Sequence, residues 1–511
     1  LFMENRPEYI YYISAIAKLG AITSLLNNSQ SGQVLLHGVT LVKPAMAIVG
    51  EELIDTFNVI RDETKLENNL YFVPDKATLD DPSGEQDGYI NIAFASKDCS
   101  ASKLHVDCTD QIDDPYVYLY TSGTTGLPKA TIQLNSKIIN GFGLIMMLNG
   151  LKESDVVYSS LPLYHGTALG ACFIATMASG ASLAITRKFS VSNFWNEIEK
   201  HNATAFGYVG ELCRYLLSQP ESEAERKHNV RLVMGNGLKA DLWMEFKNRF
   251  GIPEIREFYG SSEGNVASMN LFNLDKTVGL ILTSFAVIDF DTELEEPVLS
   301  QSGNITKVPQ GQAGLLLGKV TAITAFDGYT ETDKNEGKLL RDVFKKGDCW
   351  FNTGDVVREI GCRHIQFVDR TGDTYRWKGE NVSTSQIEKV SNEFPQVEES
   401  IAYGVEIPQT NGRAGMIAIT LKDKNANLDE KAFYQYMMEQ LPPYAVPLFV
   451  RVNDNLEKTA TFKYQKVGLK KEGFDLTKVQ VPVRVALPGN STYVELTEDI
   501  HTKIRANEYR F

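Results

Sequence analysis

The chain has 511 residues, of which 43% are hydrophobic and 23% charged, proportions of a globular protein that exclude disordered, collagen-like and coiled-coil classes. At roughly 100 to 200 residues per domain it holds two to four structural units. Its net charge of −14, from 51 Lys plus Arg against 65 Asp plus Glu, has the wrong sign for a general nucleic-acid binder, which needs a basic surface to displace counterions from phosphates.

The acidity is uneven, with 33 basic and 46 acidic side chains before residue 371 and 18 and 19 from there on. A phosphate site in the first part must therefore be made locally, by backbone N–H groups, hydroxyls, a metal or one placed cation. Cys99, Cys108, Cys172, Cys213, Cys349 and Cys362 are scattered without CxxC pairs, which suggests neither a zinc site nor a disulfide framework and fits a reducing compartment. The chain opens at Leu1 in LFMENRPEYIYYISAIAKLGA, without an initiator Met or a charged leader, and reads as a protein missing its beginning. Location is then expected in the cytoplasm or peripherally on a membrane facing it, with any upstream anchor out of view. The apolar stretch Leu169 to Ile185 is interrupted by Gly170, Ser179, Gly180 and Ser182 and falls short of the ~20 apolar residues of a membrane span.

Strand-like runs at 116–120, 156–161, 204–209, 231–234 and 254–259 alternate with helical spacing at 193–201, 211–219 and 240–250. That alternation predicts a parallel α/β sheet, with ligands in the loops that leave the strand ends after Tyr120, Leu161, Met234 and Tyr259. From Gly279 to Asp355, Gly- and Pro-punctuated runs predict a β-rich subdomain closing at NTGDVV. Beyond FVDRTGD (367–373) a smaller α+β domain follows, with a short Gly-containing joint that permits rotation.

TSGTTGLPK, Thr121 to Lys129, is the strongest chemical signal. Ser122, Gly123, Thr124, Thr125 and Gly126 place hydroxyls and freely turning backbone where N–H and O–H groups can wrap phosphate oxygens. Its order of Gly123, Gly126, Pro128 and Lys129 is not G-x-x-x-x-G-K-[ST], which disfavours ordinary P-loop phosphoryl transfer. The alternative is a Gly/Ser turn between strand and helix.

With PLYHG (162–166), GNGL (235–238), YGSSEG (259–264), TGD (353–355), the Arg370 segment and a late Lys in order, the chain resembles the adenylate-forming superfamily of acyl-CoA synthetases, luciferases and adenylation domains. FYGSSEGN, RDVFKKGD, DRTGDTYRWKGENVST and YGVEIP…GRAG resemble its fatty acid transport protein and very-long-chain acyl-CoA synthetase branch. The resemblance implies a large α/β domain over 1–369 that binds ATP and acid, and a mobile α+β domain over 370–511 hinged near 370–373. It implies that fatty acid and ATP form an acyl-adenylate and pyrophosphate, and that coenzyme A then takes the acyl group and releases AMP. Bringing a carboxylate to an α-phosphate joins two anions, so donors, a cation and Mg²⁺ are needed to offset charge.

In that frame Glu263, with Thr121, would hold Mg²⁺, and Ser262 stands where the family has threonine. Tyr259 would stack on adenine while Gly235, Asn236 and Gly237 let backbone approach the base. Asp355 suits the ribose hydroxyls because an ionised carboxylate only accepts hydrogen bonds. Arg370 would join it, or pair structurally with Asp369 or Asp373. Lys463, with Lys458 and Lys466 as neighbours in KTATFKYQK, would neutralise charge during adenylation. His165 would face the acyl carboxylate or be a satisfied buried histidine. Lys378, Gly379 and Glu380 would serve the second half-reaction, or form a loop into a helix capped by Ser383 or Thr384. Arg341, Lys345 and Lys346 would meet phosphates, a membrane surface or water. A lipid-binding protein with a vestigial site, or a ligase for medium-chain or aryl acids, is the alternative.

Overall fold

A computed structural model describes residues 1–511 except 76–86, 101, 103–110, 122–126, 137, 139–149, 218, 239, 241, 261–264, 292–295, 301–304, 322–323, 325–337, 371–373, 379, 411 and 457–465. The chain divides into one compact unit comprising Leu1–Asn28, Gly38–Thr121 and Lys129–Asp369, and a second that contains Arg370–Phe511 and Ser29–His37.

In the first unit a small sheet joins β1 (Thr23–Leu25), β2 (Pro115–Thr121) and β3 (Lys129–Leu134), with β1–β2 parallel and β2–β3 antiparallel. The main sheet takes β4 (Val156–Ser159), β5 (Ser182–Ile185), β6 (Ala205–Val209), β7 (Leu232–Asn236) and β8 (Glu254–Gly260) as parallel neighbours in the order β8-β7-β6-β4-β5. The predicted run at 116–120 is thus a strand, as its Tyr and Val content suggests, but it belongs to the small sheet. Alternating pattern shows that a segment is extended and says nothing about its partner.

The main sheet continues through β9 (Ala267–Met269), β10 (Gly279–Ile281), β11 (Phe285–Ile288), β12 (Ala313–Lys319), β13 (Cys349–Gly361) and β14 (His364–Arg370) in the order β11-β12-β13-β14-β10-β9-β8, with β11–β12, β12–β13, β14–β10, β10–β9 and β9–β8 antiparallel. The β-rich part is therefore continuous with the parallel sheet. Helices Phe194–Lys200, Gly210–Leu217 and Trp243–Arg249 carry the predicted periodicity. Phe194, Trp195, Phe206, Trp243, Phe246 and Phe250 are buried in one cluster, and rings of this size each contribute about 1.5–3 kcal/mol by leaving water.

The second unit is a five-stranded sheet of Val397–Val405, Ala414–Leu421, Phe449–Val452, Val483–Val485 and Val494–Glu495, with helices Thr384–Glu393 and Glu430–Gln440. Every residue of Ala414–Leu421 is buried, as an inner strand covered on both faces requires. Asp429 caps the second helix by accepting the Ala432 N–H. Among the described residues no helix is long and apolar enough to cross a membrane.

Candidate active site

Thr121 at the end of β2 pairs directly with Lys129 at the start of β3. TSGTTGLPK is therefore the connection of a hairpin and not a turn from strand to helix. Ser122, Gly123, Thr124, Thr125 and Gly126 lie outside the described residues, as does the Thr121 side chain. Lys129 is 7% exposed at the foot of this connection. The strand end beneath it is fixed by Tyr120, whose Oη donates to the Gly38 carbonyl at 2.6 Å and lies 2.6 Å from Ser24 Oγ. Burial pushes that phenol up to about 12.

The PLYHG loop is held by Asn5, a residue that sequence reasoning passed over. Its Nδ2 donates to the Leu161 carbonyl at 2.7 Å and its Oδ1 accepts from the Leu163 N–H at 2.9 Å. His165 is half-buried, its ring 4.6 Å from that of Tyr164, and its carbonyl accepts from the Leu169 N–H at 3.0 Å. The chain then winds through a buried π-helical stretch, Ala168–Ile174, a form common at functional sites. Thr167 donates to Asn236 Oδ1 at 3.1 Å, which joins the histidine loop to GNGL.

Gly235 stands in register with Tyr208 on one neighbouring strand and Glu257 on the other. A Cβ there would lie 2.1 Å from the Tyr208 carbonyl oxygen and 2.7 Å from its ring. The close approach that this glycine permits is therefore made by Tyr208, whose hydroxyl donates to Glu257 Oε2. Glu257 Oε1 in turn accepts the N–H groups of Gly237 and Leu238. Neither Glu257 nor Tyr208 was singled out from the sequence. The signal was an ionisable residue in the middle of a core strand, in EIREFYG, where a carboxylate persists only if hydrogen-bonded. Gly235→Ala is expected to destabilise the unit by about 1–3 kcal/mol through overpacking, visible as a lowered midpoint in urea unfolding.

Tyr259 and Asp355 meet. The tyrosine Oη donates to Asp355 Oδ2 at 2.6 Å, although 96 residues separate them. TGD is not a turn or a strand end but a bulge inside β13: Leu315 pairs with Val356 and Leu317 with Asn352, so Leu316 alone faces Thr353, Gly354 and Asp355. Gly354 takes φ +72° there, a conformation costly for other residues. Thr353 Oγ1 donates to the Leu316 carbonyl and accepts the Asp355 N–H. Bulges of this kind re-aim side chains beside active sites.

Glu263, Ser262, Gly379 and Lys463 lie outside the described residues. Arg370 ends β14, its side chain likewise outside. Lys378, exposed and at φ +52°, turns the chain between Trp377 and Glu380, which pair in a hairpin of Thr374–Trp377 with Glu380–Ser383. The predicted loop is thus a hairpin tip that leads into the helix from Thr384. Tyr375 anchors it in the gap left by the paired Gly404 and Gly415, where Cβ atoms would come within 2.6 and 2.2 Å of the tyrosine. Arg341 and Lys345 flank a turn whose backbone N–H groups, at Val343, Phe344 and Lys345, are gathered by Asp348. Among the described residues no three His, Cys, Asp or Glu side chains come together to hold a metal.

Residues 1–306 match the sequence profile of the AMP-binding enzyme family and residues 386–463 that of the AMP-binding enzyme C-terminal domain. The chain belongs to the AMP-binding enzyme family. It is 40% identical over 500 residues, 97% of this chain and 80% of the relative, to the medium/long-chain-fatty-acid–CoA ligase FadD6 of Mycobacterium tuberculosis. It is 36% identical to the mouse (Mus musculus) long-chain fatty acid transport protein 6, over 100% of this chain and 82% of that one. The fold matches the o-succinylbenzoate CoA synthetase of Bacillus subtilis with a TM-score of 0.67 at 20% identity, covering 97% of this chain and 88% of that one. The amide bond synthetase McbA of Marinactinospora thermotolerans matches at 0.71 and 18% identity, over 92% and 89%.

Proposed function

We propose that this chain is an ATP-dependent long-chain fatty acid–CoA ligase. The carboxylate of the acid attacks the α-phosphorus of ATP, pyrophosphate leaves, and the thiol of coenzyme A then displaces AMP from the acyl carbon. The observation that supports the reading is the Tyr259–Asp355 hydrogen bond, which joins the two side chains that this reading assigns to the base and the ribose. The names of the relatives support the acid class, a fatty acid activated as its CoA ester.

Within this reading Asp355 and Arg370 bind the ribose, while Gly235, Asn236, Gly237 and Tyr259 surround the base. Ser122 to Gly126 and Lys129 wrap the phosphates, and His165 faces the acyl carboxylate. Glu263 and Thr121, oxygen donors of the kind Mg²⁺ prefers, would hold the metal, with Ser262 beside them; that ion supplies positive charge against the phosphates. Lys463 serves adenylation, and Lys378 and Gly379 serve thioester formation after residues 370–511 turn about 370–373. A substrate that partitions into bilayers suits a protein resting peripherally on a membrane.

Incubation with ATP, Mg²⁺, coenzyme A and acids of increasing length is expected to release AMP and not ADP, with palmitate preferred to benzoate by at least about tenfold, the discrimination of a few buried methylenes. ADP as product would remove the reading. Equal rates with the two acids would leave a ligase and remove the long-chain assignment.

A further inference from the structure

Asn5 is 3% exposed and stands 156 residues or more along the chain from the loop groups that it binds. Its primary amide sits across Pro162. Nδ2 donates to the Leu161 carbonyl at 2.7 Å, Oδ1 accepts the Leu163 N–H at 2.9 Å, and Nδ2 also reaches the Thr186 carbonyl, in the loop after β5, at 3.3 Å. One side chain thus takes a carbonyl and an N–H two residues apart, as a residue of a parallel strand would, on the two sides of a proline that has no N–H of its own.

From there the route to His165 is short. The Pro162 carbonyl accepts the His165 N–H at 3.0 Å, so fixing the peptides around Pro162 fixes the point from which the histidine backbone hangs. Asn5 can impose a position because its own neighbours are held. The Glu4 N–H donates to Glu52 Oε1 at 2.8 Å, and Arg6, itself buried, donates to the Val73 carbonyl at 2.8 Å and the Pro74 carbonyl at 3.2 Å.

We infer that Asn5 is a positioning residue for the acid substrate: by bracing the peptides on both sides of Pro162, it sets where His165 meets the acyl carboxylate. This rests on the reading of His165 as the residue that faces that carboxylate. GNGL has a hold of its own, in which Glu257 accepts the Gly237 and Leu238 N–H groups. The effect of Asn5 therefore falls on the acid more than on ATP.

The test measures acid-dependent pyrophosphate exchange by wild type, Asn5→Ala, His165→Ala and the double variant, with palmitate and ATP varied in turn. Asn5→Ala should lower kcat/KM for palmitate about ten- to a hundredfold, the range that a misplacement of about 1 Å produces, and leave the KM for ATP within about threefold. His165→Ala should lower kcat/KM for palmitate by a comparable factor. Adding Asn5→Ala to it should cost less than about threefold more, because effects transmitted through one residue do not add. Asn5→Ser, which keeps a hydroxyl for one of the two backbone groups, enters the same cycle if the alanine variant does not fold. An equal rise in both KM values would make Asn5 a structural residue and overturn the inference. So would a loss from Asn5→Ala as large in the His165→Ala background as in wild type. If His165→Ala alone left the kinetics with palmitate unchanged, the acyl reading of His165 would fall first, and the role of Asn5 with it.

Discussion

Lys463→Ala is expected to reduce acid-dependent exchange of labelled pyrophosphate into ATP by about a thousandfold, while pre-formed acyl-adenylate and coenzyme A still give acyl-CoA within about threefold of wild type. The two half-reactions differ in what they demand. Adenylation forces a carboxylate against a phosphate, and one ammonium on a long stem can follow the charge as it moves from the attacking oxygen to the leaving pyrophosphate. Thioester formation brings no such pair of anions together. Lys458→Ala and Lys466→Ala serve as controls, since all three lysines lie within KTATFKYQK and only the motif order selects the middle one. The substitution should leave the fold intact. The helix that follows, Lys466–Glu472, is held to the strand Phe449–Val452 by Arg451, whose Nη1 lies 2.7 Å from Glu472 Oε2. Equal loss of both half-reactions would mean a defect of the whole unit. Retained exchange would move the role to a neighbouring lysine.

What the sequence made legible follows from what periodicity reports. Four of the five parallel strands in the main sheet, and three of the helices of that unit, were visible because buried strands and amphipathic helices impose local patterns. The partners of a strand impose none. Nothing in YVYLY indicates that its neighbours are Thr23–Leu25 and Lys129–Leu134, and so the hairpin nature of TSGTTGLPK emerged only from the register of Thr121 with Lys129. TGD read as an edge because Gly followed by Asp ordinarily ends a strand; a bulge uses the same residues without ending it. Glu257 was hidden for a different reason. A carboxylate in a strand is by default solvated, and its burial becomes sensible only when Gly235, by lacking a side chain, admits Tyr208 from one strand to Glu257 on another. The meeting of Tyr259 with Asp355 was likewise a matter of tertiary structure, since β14, β10 and β9 stand between β13 and β8 in the sheet and yet the two side chains are hydrogen-bonded.

Asp355→Ala is expected to raise the KM for ATP by about 30- to 1000-fold with kcat within about fivefold, the loss of two charge-assisted hydrogen bonds worth together about 2–4 kcal/mol. The carboxylate is 4% exposed, so it sits in a setting where such bonds are strong and where its direction matters. That direction is set twice. Thr353 and Gly354 form the bulge that turns the residue out of the regular strand, and Tyr259 Oη donates to Oδ2 at 2.6 Å. Tyr259→Phe removes that tether while keeping the ring and should raise KM about fivefold, roughly 1 kcal/mol for one hydrogen bond. The decisive arm uses 2′,3′-dideoxy-ATP, which lacks the hydroxyls the carboxylate would accept. Wild type should bind it as weakly as Asp355→Ala binds ATP, and the substitution should add little further loss. A penalty of the same size with both nucleotides would show that Asp355 acts on the fold of β13 and not on the sugar.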